Sequence, residues 1–159
     1  TASRAEKKVR DRLEELGVEC FLPVQTVLRQ WTYRKSRVVV PVIAGLVFVR
    51  VGRQEQVKVL QTKGVVAFLR LTGEAGAAVI PDKQMEDFRF LLDFSEEAVE
   101  MTNENIKAGD LVRVVKGSLR GMEGELIRHK GVTKVLVRID MLGCAMVNIP
   151  ASFVEKLNK

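Results

Sequence analysis

Residues 109–126 constrain the fold more than any other stretch of this chain. They read Gly109-Asp110-Leu111-Val112-Arg113-Val114-Val115-Lys116-Gly117-Ser118-Leu119-Arg120-Gly121-Met122-Glu123-Gly124-Glu125-Leu126. Alternation puts Val112 and Val114 on one face of a strand and Arg113 on the other. Gly117, Gly121 and Gly124 then recur at i, i+4 and i+7, where a turn needs positive φ or where side chains would collide. A second apolar run follows. Further strands are predicted over 125–128, over 133–140 with Val135, Val137 and Ile139 on one face, over 144–150 and near 153–157. Roughly five short strands packed into so few residues predict a small closed barrel, which leaves no free sheet edge.

The preceding residues have a different grammar. Ser3-x-x-Glu6 reads as a capping box opening a helix over 3–16, with Ala5, Val9, Leu13 and Leu16 on one stripe and Gly17 as its stop. Residues 18–24 are extended in character, with Pro23 marking an edge or a strand end. Residues 27–40 predict a strand, a basic tip over 31–37 and a returning strand, and 42–51 and 64–70 predict two more. A short helix is expected over 54–60. A second helix over 82–92 carries Met85, Phe88, Leu91 and Leu92 at helical spacing. Residues 95–105 are polar, acidic and aperiodic, as in a linker. The predicted class is α+β: an antiparallel-sheet α/β sandwich over 1–94, an acidic linker over 95–105, and a small all-β barrel over 106–159.

Charge narrows the class of partner. The 159 residues carry a net charge of +6, with 16 basic and 11 acidic residues over 1–94, one basic and four acidic over 95–108, and nine basic and five acidic over 109–159. Two basic blocks flanking an acidic strip favour an anionic partner such as nucleic acid, although solubilising charge has the same appearance. The longest apolar runs, 38–42 and 46–49, are far too short to span a bilayer, and residues 1–13 are charged rather than signal-like. A cytoplasmic protein is the expectation, with no membrane partner.

No enzyme signature stands out. Gly117-x-x-x-Gly121 resembles the start of a phosphate loop but lacks the Gly-Lys-Ser/Thr ending. Cys20 and Cys144 lie far apart without C-x-x-C spacing, which argues against a zinc or redox site. His129 is the sole histidine, within a predicted turn, and supports no catalytic set. Glu14-Glu15 and Glu96-Glu97 are sequence neighbours, which on a helix do not face each other. Binding without a catalytic residue, metal or cofactor is the expectation.

The hairpin of residues 109–126 resembles a KOW motif, on Gly109, Asp110, Gly117, Gly121 and Gly124. An α+β block, an acidic linker and a KOW barrel, in this order, resemble the NusG family of transcription elongation factors over nearly the whole chain. Three further stretches carry the resemblance: Val42-Ile43-Ala44-Gly45-Leu46-Val47-Phe48-Val49, Gly64-Val65-Val66-Ala67-Phe68-Leu69 and Ile80-Pro81-Asp82-Lys83-Gln84-Met85. Two features depart from the family pattern. The family's Trp-Tyr-rich strand ahead of the first helix is not in the sequence, and the usual Pro-Gly-Tyr is here Ala44-Gly45-Leu46.

The resemblance implies a monomer that docks on the RNA polymerase clamp through an apolar patch at Ile43, Leu46, Phe48, Phe68 and Leu71. Ile43 and Leu46 are the favoured contacts, because Phe48 and Phe68 equally suit a core. It also implies contact with displaced non-template DNA by a basic surface, for which Arg4, Lys8, Arg12 and Lys63 are candidates, beside the basic tip with Arg34, Lys35 and two aromatics, Trp31 and Tyr33, able to stack on bases. A KOW domain in this family recruits a ribosomal protein or a termination factor, here through loops at 116–120 and 142–146. The implied activity is suppression of pausing and termination by a specialised, operon-specific bacterial paralogue, nucleoid-associated during transcription. A ribosome-associated KOW RNA-binding protein is the alternative, and an enzyme carrying an appended KOW barrel is a more remote one.

Overall fold

A computed structural model describes residues 1–31, 34–70, 73 and 76–157, apart from the side chains of Arg29 and Trp31. The chain divides into two compact units, Thr1–Ala78 and Val79–Lys159.

The first unit opens with helix α1 (Glu6–Glu15), whose Val9 and Leu13 are fully buried. Gly17 ends it at φ +75°, while the Val18 N–H returns to the Leu13 carbonyl. Strand β1 (Glu19–Phe21) pairs antiparallel with β4 (Phe48–Arg50), and β2 (Val24–Trp31) pairs with β3 (Arg34–Pro41) from Val24↔Pro41 to Trp31↔Arg34. Helix α2 (Arg53–Leu60) adds Val59 to a core of Val9, Leu13 and Val18, against which Ala5, Cys20, Val47, Val49, Val65 and Phe68 pack. The expected α/β architecture is present, with its strands in two separate two-stranded ladders.

Four local expectations fail here for identifiable reasons. Ser3 does not cap α1; Ala5 holds the N-cap position without a side-chain bond, and Glu6 turns inward instead. Leu16 leaves the buried stripe, since the helix has already ended and the side chain is exposed. Residues 42–47 are bend, turn and loop rather than strand, because Gly45 takes φ +74° and breaks the ladder before β4. Residues 64–70 alternate apolar side chains but join no ladder, so Phe68 packs inward while Val66 and Leu69 stay exposed.

The second unit begins with helix α3 (Asp82–Phe94), which buries Phe88 and Leu91. Six antiparallel strands follow in the order β10-β6-β7-β8-β9-β5. They are β5 (Glu100–Thr102), β6 (Asp110–Val114), β7 (Glu123–His129), β8 (Val132–Ile139), β9 (Gly143–Asn148) and β10 (Val154–Lys156), the last preceded by a 3-10 turn at Ala151–Phe153. Val112, Val114, Val135 and Val137 are buried in the unit's core. Leu136, on the opposite face of β8, forms a second cluster with Cys144 and Met146, covered by Ile106 and Ile127. Gln84 fastens α3 to the β8–β9 turn twice: its amide nitrogen donates to Asp140 Oδ1 at 2.9 Å and its amide oxygen accepts from the Asp140 N–H at 2.8 Å.

Three further expectations change. The acidic stretch 95–105 contains β5, which pairs with β9, and Val99 beside it is buried. A hydrogen bond from Lys134 at 2.6 Å ties Glu100 of β5 to β8 and holds its carboxyl below the usual carboxylate range. His129 ends β7 rather than sitting in a turn, largely buried, with Nε2 3.1 Å from Glu104. Residues 142–146 are not an exposed loop, because β9 begins at Gly143 and Cys144, Ala145 and Met146 are buried.

Gly124 lies where β7 meets β8, and a Cβ there would stand 2.9 Å from the Leu136 carbonyl oxygen and from Val135 Cγ2. Backbone on this side has no room to give. Gly124→Ala is expected to destabilise the second unit by about 1–3 kcal/mol through overpacking. Gly131→Asn, at an open turn position with φ +79°, is expected to be nearly neutral because asparagine tolerates the left-handed region. Urea denaturation of the two variants beside the parent chain measures the difference.

Candidate functional site

The loop at 42–47 is held to the start of α1 by a carboxylate. Glu6 is only 8% exposed, and its Oε1 accepts the Gly45 N–H at 2.8 Å. A buried carboxylate is tolerable when it is hydrogen-bonded, and at the first turn of a helix the macrodipole also favours it. The Thr1 amino group donates to the Gly45 carbonyl at 2.8 Å, so both polar groups of this residue are tied to the chain's first residues. Ala44 is then exposed, while Ile43 and Leu46 on either side of the fixed turn are partly exposed.

The other expected patch residues have different settings. Phe48 is partly buried on β4 and stacks on Phe21, with ring centroids 6.1 Å apart at 24°. Phe68 packs against the cluster of Val9, Leu13, Val18 and Val59. Leu71 lies outside the described residues. Ile43 and Leu46 thus flank a fixed turn, and Phe48 and Phe68, of the same intermediate exposure, make packing contacts with Phe21 and the core.

Of the expected cationic residues, Arg12 and Lys63 are brought together: Arg12 Nη1 donates to the Lys63 carbonyl at 2.7 Å, leaving the Lys63 side chain exposed. Close approach makes this possible, since Gly64 follows at φ +97° against Val9 and a side chain there would clash. Lys8 is exposed on α1, and Arg4 is exposed just ahead of it at φ +58°. Lys7, not anticipated, ties α1 to β3 by donating to the Val39 carbonyl at 2.9 Å. Arg34 and Lys35 are exposed at the start of β3. Tyr33 and the side chain of Trp31 lie outside the described residues.

The β2–β3 ribbon has a marked electrostatic character. On one face the cross-strand pairs Leu28–Arg37 and Gln30–Lys35 are exposed. Between Cys20 and Gln54 there are six basic residues and no acidic one, which equals the +6 of the entire chain. Positive potential therefore concentrates on one segment and is not diluted by neighbouring carboxylates along the sequence.

The glycine-rich motif also assumes the expected form. Asp110 starts β6, Gly109 packs so closely on the Leu126 carbonyl that a Cβ would strike it, and Gly124 pairs with Val112 across the hairpin. Gly117 and Gly121 frame the turn at φ +84° and +95°.

Sequence alone misassigns Glu6 and gives no sign of Lys7 or of the Gln84–Asp140 pair. An acidic residue on the same helical face as Val9 and Leu13 is the available signal for Glu6. Glu6→Ala is expected to leave the Gly45 N–H without its acceptor, costing roughly 1–3 kcal/mol. Amide hydrogen exchange at Gly45 should accelerate strongly in that variant, whereas Glu6→Gln, which keeps an acceptor oxygen, should be affected less.

Comparison with known proteins agrees with this architecture. The sequence model of the NusG family, described as transcription termination factor nusG, matches residues 1–89. A solved structure of NusG from Thermotoga maritima, reported for its domain interaction, is 23% identical, with 99% of this chain and 94% of that chain covered and a TM-score of 0.50. A chain of the MjSpt4:Spt5 complex is 18% identical over 100% of this chain and 94% of that one, but its TM-score of 0.24 is too low to bear on the fold. No curated protein matches. With its family-specific sequence over more than half its length and the two-unit fold built on it, the chain belongs to the NusG family of transcription factors.

Proposed function

We propose that this protein docks on RNA polymerase through the turn at 43–46 and suppresses pausing and termination, as an operon-specific antiterminator in the cytoplasm. The observation that carries the reading is the turn itself: two partly exposed apolar side chains flank a Gly45 fixed on both its polar groups, within a family-matched sequence. A preorganised apolar projection suits docking because it gives up little conformational freedom on binding. The coiled-coil clamp is the surface implied by the family resemblance. A factor that binds the closed clamp better than the open one shifts the enzyme's population towards the closed, productive state, without covalent chemistry.

The cationic residues supply a second contact. Arg4, Lys8, Arg12 and Lys63, with Arg34 and Lys35 on the ribbon, are proposed to meet the phosphates of displaced non-template DNA. The acid-free stretch around β2 and β3 supports this assignment. A ribosomal protein or a termination factor is the further partner, recruited by the second unit.

Pull-down with core RNA polymerase tests the first contact. The Ile43→Asp/Leu46→Asp chain should retain roughly tenfold less polymerase than the parent, as expected for apolar anchors at the centre of an interface, with unchanged circular dichroism. Equal retention by the two chains rejects the turn as the docking site. For the second contact, Lys8→Glu/Lys63→Glu should weaken binding to single-stranded DNA. The slope of log K against log salt should fall by roughly 0.7 for each phosphate that is no longer neutralised. Identical slopes across a salt series remove these two lysines from the interface.

A further inference from the structure

We infer that residues 99–108 form a strap that opens and closes over one face of the second unit's sheet while strands β6–β10 stay folded. Closed, it conceals the β9 edge and the cluster of Leu136, Cys144 and Met146; open, it lays them bare. Whether a segment can open by itself depends on what fastens it and on whether the remaining core needs it.

The remaining core is built without the strap. Side chains of a strand alternate between faces, so the sheet carries two separate apolar layers. Val112, Val114, Val135, Val137 and Val147 share one face and are buried. The other face carries Leu136, Cys144 and Met146, with Ile106 and Ile127 packed against them. Ile106 belongs to the strap, and it covers only this second layer.

The strap's fastenings are short and rely on side chains. Strand β5 pairs with β9 over three residues, from Glu100↔Met146 to Thr102↔Cys144. Lys134 on β8 donates to Glu100 Oε2 at 2.6 Å, and His129 Nε2 on β7 lies 3.1 Å from Glu104 Oε2. Arg138 Nη2 donates to the Ile106 carbonyl at 2.8 Å, while its Nε donates to Glu125 at 2.7 Å. The Glu100 and Glu104 side chains are 46% and 57% exposed, so water competes for both ion pairs and each adds little to the closed state. The apolar anchors are buried Val99 and half-buried Ile106. Residues 96–98 at the near end are exposed. Gly109 fixes the far end: a Cβ there would strike the Leu126 carbonyl oxygen, and its N–H donates to Glu125 Oε1 at 3.1 Å.

Cys144 reports the state of the strap. It is 2% exposed and faces Thr102 across the β5–β9 ladder. Burial raises the pKa of its thiol, and the thiolate is the reactive form, so the closed strap protects it both by cover and by protonation.

The test uses the full chain carrying Cys20→Ala, which leaves Cys144 as its one thiol. Dithiobis(nitrobenzoate) should label Cys144 slowly, at a rate nearly flat between zero and about 1 M urea, because opening a strap exposes little surface. Ile106→Ala/Glu100→Gln should raise that rate about tenfold through loss of an apolar anchor and an ion pair. In the same variant the amides of Met101 and Thr102 should exchange faster, while those of Val135 and Val137 keep the parent's protection. Glu100→Gln alone should move both measurements the same way by a smaller factor, and it decides the matter if the double variant does not fold. Labelling that proceeds only in step with urea unfolding, or β5 amides as protected as those of β8 in the variants, overturns the strap.

Discussion

A single buried carboxylate organises the exposed surface of the first unit. Glu6 lies on the same side of α1 as Val9 and Leu13, where an apolar residue would ordinarily be found, and its charge is satisfied by the Gly45 N–H. The bond converts a helix position into a fixed point for a loop 39 residues away in sequence. Because Gly45 is locked at φ +74°, the directions of its neighbours Ile43 and Leu46 are set by backbone rather than by chance. An apolar core residue at position 6 would leave the Gly45 N–H with water as its only acceptor, and the turn would gain freedom that any partner must then remove.

Whether these features are legible in the sequence depends on whether they are local. The β2–β3 hairpin is readable because two runs with β-branched residues flank a polar, basic tip and its register needs no third element. Helix α3 is readable from Met85, Phe88 and Leu91 alone. The glycine-rich hairpin is readable because Gly117 and Gly121 are needed for conformation and Gly124 for space, and each requirement leaves a mark on the sequence. What fails is non-local. Residues 64–70 have strand-like alternation without a ladder partner, so the pattern alone misleads. Strand β5 is hidden because Met101 within it and Val99 before it are interleaved with glutamates, one of which, Glu100, is paired with Lys134 on β8. Glu6 is hidden for the reverse reason: a locally plausible capping box explains it, while its true partner is the distant Gly45.

The candidate sites follow the same logic. Family resemblance marks the neighbourhood of Ile43 and Leu46, and the fold adds that Phe48 stacks on Phe21 and Phe68 packs against the first unit's core. In the sequence Arg12 and Lys63 are simply two charges suited to one surface; in the fold Arg12 also clamps the Lys63 backbone. Part of its hydrogen-bonding capacity is structural, so its removal would disturb the loop as well as the potential. Lys8, exposed on the helix, reports charge more cleanly.

Both units separate structural charge from available charge. In the second, carboxylates on other strands pair with Arg113, Lys134, Arg138 and Lys156. Pairs of this kind add little stability when exposed, but they remove positive potential from the sheet surface. In the first, the segment from Cys20 to Gln54 contains no acid at all, so nothing along it offsets its six basic residues. A chain whose cations served only solubility would gain nothing from this segregation, since interspersed signs solubilise as well. Carrying the first unit's positive charge on a segment without acidic residues fixes where its potential is strongest along the sequence.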